Sequence, residues 1–131
     1  MGRHEKCVRE AAVIASHKAR ICLITTSSGK HWVIPKGRVA RGDRPWETVA
    51  QEAWEEAGIV GKPKHRPVGT YFFFKAGRLC KVTVYLMKVT KIKDQWPEKE
   101  QRQRRWLSFR EAIKLIERSA LRKIVQIAVG G

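Results

Sequence analysis

The chain has 131 residues, 43% hydrophobic and 31% charged, with a formal net charge of +16. That is the composition of one globular domain, expected over residues 1–131, and it excludes a disordered chain. The charge exceeds what solubility needs, so anionic partners are expected: polyphosphates or nucleic acid. No apolar run approaches the roughly 20 residues of a membrane span, and the opening MGRHEKCVRE lacks the apolar core of a secretory signal, so no membrane association is expected. Cys7, Cys22 and Cys80 are isolated, without CxxC spacing; buried reduced thiols in a cytoplasmic protein are the reading.

In chain order, VREAAVIAS and ARICLITTS carry apolar, β-branched runs and predict two strands around the polar break His17–Lys18. SSGK, 27–30, is a turn, HWVIPKG a short strand ended by Pro35 and Gly37, and RVARGDRP a loop. A helix follows, with Asp43 as N-cap, Pro45 in the first turn and Gly58 as the stop. PVGTYFFFKAG and RLCKVTVYLMKVTKI form two strands of a hairpin turning at Ala76–Gly77. QRRWLSF is a further strand. Ser108 caps a helix with Glu111 three residues on, a capping box, and Ser119 caps a last helix to about Val129. The order β-β-β-α-β-β-β-α-α predicts an α+β fold with a mixed sheet, not a doubly wound parallel one.

The helix from Asp43 to Gly58 divides its residues sharply. Val49, Ala53, Ala57, Ala50, Trp46 and Trp54 share one face, a core face; Glu52, Glu55 and Glu56 share the other. Carboxylates at those spacings repel by roughly 0.2–0.5 kcal/mol per pair, and the helix dipole disfavours anions near its C-terminal end. The island is sharply local: Asp43 to Glu56 holds five acids and one base, the rest of the chain 27 bases and seven acids. A solvated acidic face, an ion-pairing site for a basic element and a site for hard divalent cations are the three readings such a cluster permits.

Its flanks carry a longer pattern. Gly37, five residues, Asp43, seven residues and QEAWEEAGI resemble the Nudix box, G-x5-E-x7-R-E-U-x-E-E-x-G-U with U aliphatic. Gly37, Glu52, Glu55, Glu56, Gly58 and Ile59 match, and Ala53 sits at an aliphatic position; Asp43 replaces the usual Glu and Gln51 the usual Arg. WVIPKG before the box, the hairpin after it and the tail with Trp96, Arg102, Arg104 and Trp106 are similar to the diphosphoinositol polyphosphate and diadenosine polyphosphate hydrolase branch.

The resemblance implies a Nudix fold, an α/β/α sandwich with its mixed β-sheet between helices. It implies hydrolysis of a diphosphate linkage in a small, highly anionic substrate with Mg2+ or Mn2+, ions that neutralise charge and activate water. Glu52 and Glu56 would be principal metal ligands with the Gly37 carbonyl, and Glu55 a third ligand or the general base; the catalytic set is Glu52, Glu55 and Glu56. Lys36 and Arg38 beside Gly37 are the first substrate-binding candidates, followed by Arg9, Lys75, Lys81, Arg102 and Arg104, the last two alternating on one strand face. An Asp43–Gln51 hydrogen bond would preserve part of the support that the usual Glu–Arg pair gives.

Two alternatives stand beside this reading: a pyrophosphohydrolase acting on RNA 5′ ends or nucleotides, and a non-catalytic Nudix scaffold that binds nucleic acid or polyphosphate. Three repelling acids argue against the second, because a phosphate binder has no need of them. His4, His17, His31 and His65 have no metal-ligand spacing and are given surface roles. Alternation sends Phe72 and Phe74 to one face of their strand, Tyr71 and Phe73 to the other.

Overall fold

In a computed structural model of the chain, residues 7–130 are described. Strand β1 (Val8–His17) is the centre of the molecule, with Ala11 to Ala15 wholly buried. It turns back into β2 (Arg20–Thr25) through Lys18 and Ala19, both at positive φ. The break read at His17–Lys18 is therefore a tight antiparallel turn with the register Ser16↔Ile21.

Two short strands, β3 (Trp32–Val33) and β4 (Lys36–Arg38), precede helix α1 (Pro45–Ala57). After it come β5 (Ile59–Pro63), β6 (Gly69–Lys75), β7 (Arg78–Ile92), β8 (Arg104–Ser108), α2 (Phe109–Leu115) and α3 (Ser119–Val125). The long strand β7 runs parallel to β1 from Val8↔Cys80 to Ser16↔Lys88, and carries β5 and β6 on its far side, both antiparallel. On its near side β1 takes β2 at one end and β4 at the other. With β3 and β8 on β2, the result is one mixed eight-stranded sheet.

Period-two alternation along the strands sorts their side chains into two cores. Ala12, Ile14, Leu23, Val82, Val84 and Leu107 pack with Ala112 and Ile116 at α2 and Leu121 and Val125 of α3. Ala11, Val13, Ala15, Cys22, Tyr85 and Met87 pack with Val49, Ala53 and Ala57 of α1. The sheet thus lies between helices, as an α/β/α sandwich requires. No helix of the described residues is long and apolar enough to cross a membrane.

The structure corrects several local expectations. HWVIPKG is not one strand: β3 pairs β2 while β4 has moved to β1, and Pro35, which has no N–H to give a ladder, lies between them. The N-cap of α1 is Arg44, not Asp43, and makes no side-chain cap bond. Pro45 forces the residue before it into extended backbone, so Arg44 takes the cap conformation at φ −85° and ψ 132°. Strand β5 is not among the expected strands, none of which lies between Gly58 and Pro67; it pairs with β7 through an irregularity at Val60/Gly61. Ser108 does close a capping box with Glu111, but α3 is capped by Arg118, with Ser119 already inside it. The thiols are free; Cys22 and Cys80 are buried and Cys7 is half-buried. Burial pushes the Cys22 thiol up to about 12, which makes it unreactive. His4 lies outside the described residues.

Candidate active site

Helix α1 is held against the sheet by Val49, Ala53 and Ala57, all without exposed surface. Gly58 ends it in the left-handed region at φ 67°, and its N–H bonds back to the Ala53 and Trp54 carbonyls. The Trp96 ring lies so close over Gly58 that a Cβ there would come within 2.6 Å of it. This seating places the carboxylate face beside β4, not out in water. Glu52 and Glu55 are half-buried, and Glu56 is only 7% exposed.

Two of the three carboxylates converge. Glu52 and Glu56 share a hydrogen bond, and the Lys36 backbone N–H donates to Glu56 Oε1 at 3.2 Å. Burial pushes the Glu56 carboxyl up to about 8, with the bond to Glu52 adding to the rise while Arg102 opposes it. Burial raises Glu52 as well. Gly37 backs the pair: a Cβ there would meet Glu52 Cδ at 2.4 Å, so any other residue would push the carboxylate out of its present position. Two oxygen-donor side chains brought together beside a glycine fit a hard divalent ion, which would relieve the burial of their charges.

Glu55 is placed differently. Its Oε2 accepts from the Gln51 side-chain amide one turn back, so the expected Asp43–Gln51 bond is replaced by Gln51–Glu55. Asp43 is exposed and instead donates its backbone N–H to Ala40 O in the loop. Among the described residues no three His, Cys, Asp or Glu side chains already gather at one point. Glu52 and Glu56 are thus the preformed pair, and Gln51 holds Glu55 apart from them.

Arg102 and Arg104, expected as phosphate readers on one strand face, are committed to protein groups. Arg102 lies before β8, and its guanidinium bonds Glu98 Oε1 at 2.7 Å and Thr25 O at 3.0 Å, with Glu56 Oε2 at 3.6 Å. Arg104 donates to Ala57 O and Lys93 O, both at 2.8 Å, and lies 4.3 Å over the Trp96 ring. Glu98 was not foreseen. Its N–H donates to Glu55 O and its charge acts on Glu52, so a fourth carboxylate borders the site. The WPE stretch that carries it had no helical or strand pattern to single it out.

The remaining candidates fall into two places. Lys36 and Lys75 line a cleft of about 340 Å³ with Trp32, Tyr71, Phe73 and Arg118. Lys36 Nζ pairs with Glu10 at 2.6 Å and lies 5.3 Å from the Phe73 ring, which Arg118 covers at 4.5 Å. Arg118 is a further cleft residue that sequence reasoning missed, as is Glu10, which holds Lys36 from the adjoining hollow. His31, at its rim, pairs with Glu117 at 2.8 Å, and His65 stacks on Trp46 at 4.2 Å. Arg9, Arg38 and Lys81 are exposed on the other side of the β4 strand end.

Comparison with known proteins agrees with this architecture. A profile of the NUDIX domain matches residues 8–126. The chain is 30% identical over 107 residues to Nudix hydrolase 12, mitochondrial, of Arabidopsis thaliana, covering 76% of this chain and 53% of that protein. It is 33% identical over 88 residues to diphosphoinositol polyphosphate phosphohydrolase 2 of Rattus norvegicus, covering 66% and 48%. The chain spans about half the length of these curated relatives. A C. elegans Ap4A hydrolase in a binary complex shares the fold with a TM-score of 0.77 at 24% identity, over 91% of this chain and 93% of that one. With the profile match covering nearly all of its described residues, the chain belongs to the Nudix domain family.

Proposed function

We propose that the chain hydrolyses a diphosphate linkage in a small, highly anionic molecule, with Mg2+ or Mn2+ bound by Glu52, Glu56 and the Gly37 carbonyl. The observation that carries this reading is the Glu52–Glu56 pair seated on Gly37. A divalent ion there supplies charge neutralisation and an activated water. Water's oxygen forms a bond to one phosphorus, the P–O–P bond breaks, and the departing phosphate keeps the electron pair. Glu55, outside the Glu52–Glu56 pair, is the base proposed to take the water's proton. Lys36, Arg38, Arg9 and Lys81 flank this site as phosphate contacts, with Lys75 at the cleft.

The cleft supports a heavily phosphorylated group over a stacked base. Arg118 and Lys36 both lie over the Phe73 ring, so the cleft offers cations where a base would need an open aromatic face. A diphosphoinositol polyphosphate is therefore proposed ahead of a dinucleoside polyphosphate; relatives carry the first activity in their names. The free thiols support a reducing compartment, the cytoplasm in this proposal, although other relatives are named mitochondrial.

Phosphate release from a panel of diphosphoinositol, dinucleoside and nucleoside polyphosphates, with Mg2+ or Mn2+, tests the proposal. Turnover is expected to require the ion and to fall at least a hundredfold in Glu56→Gln. Turnover unaffected by Glu56→Gln, or no turnover across the panel, would overturn it.

A further inference from the structure

The hydrolytic reading uses Arg9, Arg38 and Lys81 and gives no role to Arg41, Arg78, Phe72 and Phe74, which lie beyond them. On the α1 side of the sheet, Arg9, Lys81 and Phe72 stand in one row across β1, β7 and β6, and Leu79 and Phe74 begin the next row. Phe72 is 55% exposed and Phe74 74%. Both are on β6, which pairs only with β7. The sheet's alternation turns them away from the cleft that holds Tyr71 and Phe73. Two large aromatics at adjacent same-face positions, about 7 Å apart along the strand, are left on the surface of a strongly basic domain.

Arg9 also opens into a groove shared with Arg38, Arg41 and Arg78. Its lining includes four arginines and, among the described residues, no carboxylate. Arg9 borders the neighbouring hollow with Lys81 and Pro45 at the start of α1; the carboxylate there, Glu10, is paired with Lys36. Arg9 and Lys81 thus link Phe72 to the arginine groove in a strip that wraps one end of the sheet, with Arg38 and Arg78 standing at positions of the opposite alternation.

We propose that this strip binds single-stranded nucleic acid, the arginine groove holding successive phosphates while Phe72 and Phe74 receive unstacked bases. Guanidinium groups fit phosphate oxygens in pairs, and base–aromatic stacking tolerates any sequence. A free polyphosphate would use the groove but gives the two rings no purpose. A flat anionic membrane matches a concave groove poorly. A second copy of the chain would bring arginine against arginine at +16 per molecule. The inference does not depend on hydrolysis and predicts binding with or without a diphosphate in the ligand.

The test is fluorescence anisotropy of a labelled single-stranded RNA with a 5′-hydroxyl end, in the absence of divalent ions. Binding is expected to weaken with salt, with a log–log slope of about −3 to −4 for five engaged cations at roughly 0.7 each. Phe72→Ser/Phe74→Ser should weaken binding at least tenfold at unchanged slope and leave hydrolysis of the small substrate unchanged. Phe72→Tyr/Phe74→Tyr should retain binding. Arg41→Gln/Arg78→Gln should reduce the slope by about 1.4. No binding at low salt overturns the proposal, as does binding indifferent to loss of the two rings. So does self-association, or adhesion to phosphatidylserine vesicles, that needs Phe72 and Phe74 and is not competed by the RNA. Because the RNA has no diphosphate, loss of the hydrolytic activity in the panel would leave this result intact, and the reverse.

Discussion

Replacing Arg102 by Gln discriminates between a phosphate reader and a support for the carboxylates. The side chain is 16% exposed and Glu56 beside it 10%, so the pair is poorly screened. The substitution removes a charged hydrogen bond to Glu98 and a bond to the carbonyl of buried Thr25, and leaves Glu56 without its cation. Breaking a buried pair from one side costs roughly 3–5 kcal/mol, but Glu56 can relieve itself by keeping a proton. A net loss of about 2–4 kcal/mol is expected. In urea, at a slope near 2 kcal/mol/M, the unfolding midpoint falls by about 1–2 M. KM for the small substrate should change by less than about threefold, since this guanidinium faces protein groups. Adding Gln51→Arg, which restores a cation one turn from Glu55, should recover part of the lost stability. A tenfold rise in KM at an unchanged midpoint would refute the reasoning and return Arg102 to the substrate.

Other outcomes follow from the same geometry. Without divalent ions the folded state holds a proton on Glu56 that the unfolded chain releases near 4.5; stability from this group is complete below that pH and is lost as pH rises towards about 8, by at most about 1.4 kcal/mol per pH unit. Added Mn2+ should reverse the loss, measured by thermal melting at pH 6 and pH 8.5. Gly37→Ala should abolish most turnover and lower divalent affinity measured by calorimetry, because the new Cβ would stand 2.4 Å from Glu52 Cδ; its stability cost is about 1–3 kcal/mol. Ser108→Ala removes the hydroxyl half of the capping box, leaving the residue-108 N–H to donate to Glu111, and should cost about 1 kcal/mol in urea with no change in turnover.

What could be read from the chain alone was what is local or regularly spaced. Strands β1, β2 and β7 show as β-branched runs and β6 as an aromatic one, the Phe72/Tyr71 alternation sorts faces correctly, and the glycine-to-glutamate spacing marks the box. Arg102 meets Glu56 across 46 positions, and no periodicity joins the two. The tail pattern flagged Arg102 and Arg104, yet their roles depend on which way a loop folds back. Pro45 overrode the capping preference of Asp43 because the restriction on its predecessor acts on the backbone directly. Gly61 and Pro63 hid β5, whose pairing is set by β7 and not by its own propensity.

The acids near the end of α1 make sense only with that tail. A helix leaves its last carbonyls without partners, and here three acidic residues crowd the same negative end. Each carbonyl of the last turn is nevertheless met: Trp54 O by Gly58 N–H, Glu55 O by Glu98 N–H, Glu56 O by Trp96 Nε1, and Ala57 O by Arg104. Three of those four donors come from residues 96–104. Arg104 also brings a full positive charge to the negative pole of the helix, and Arg102 brings another to Glu56. The usual box meets the same electrostatic problem with an arginine at the position of Gln51. In this chain the cation arrives from a segment about fifty residues later, so Gln51 is free to hold Glu55 apart from the Glu52–Glu56 pair. Under the proposed function, that division assigns the two halves of one helix face to different tasks: the Glu52–Glu56 pair to the ion, and Glu55 to the proton of the water.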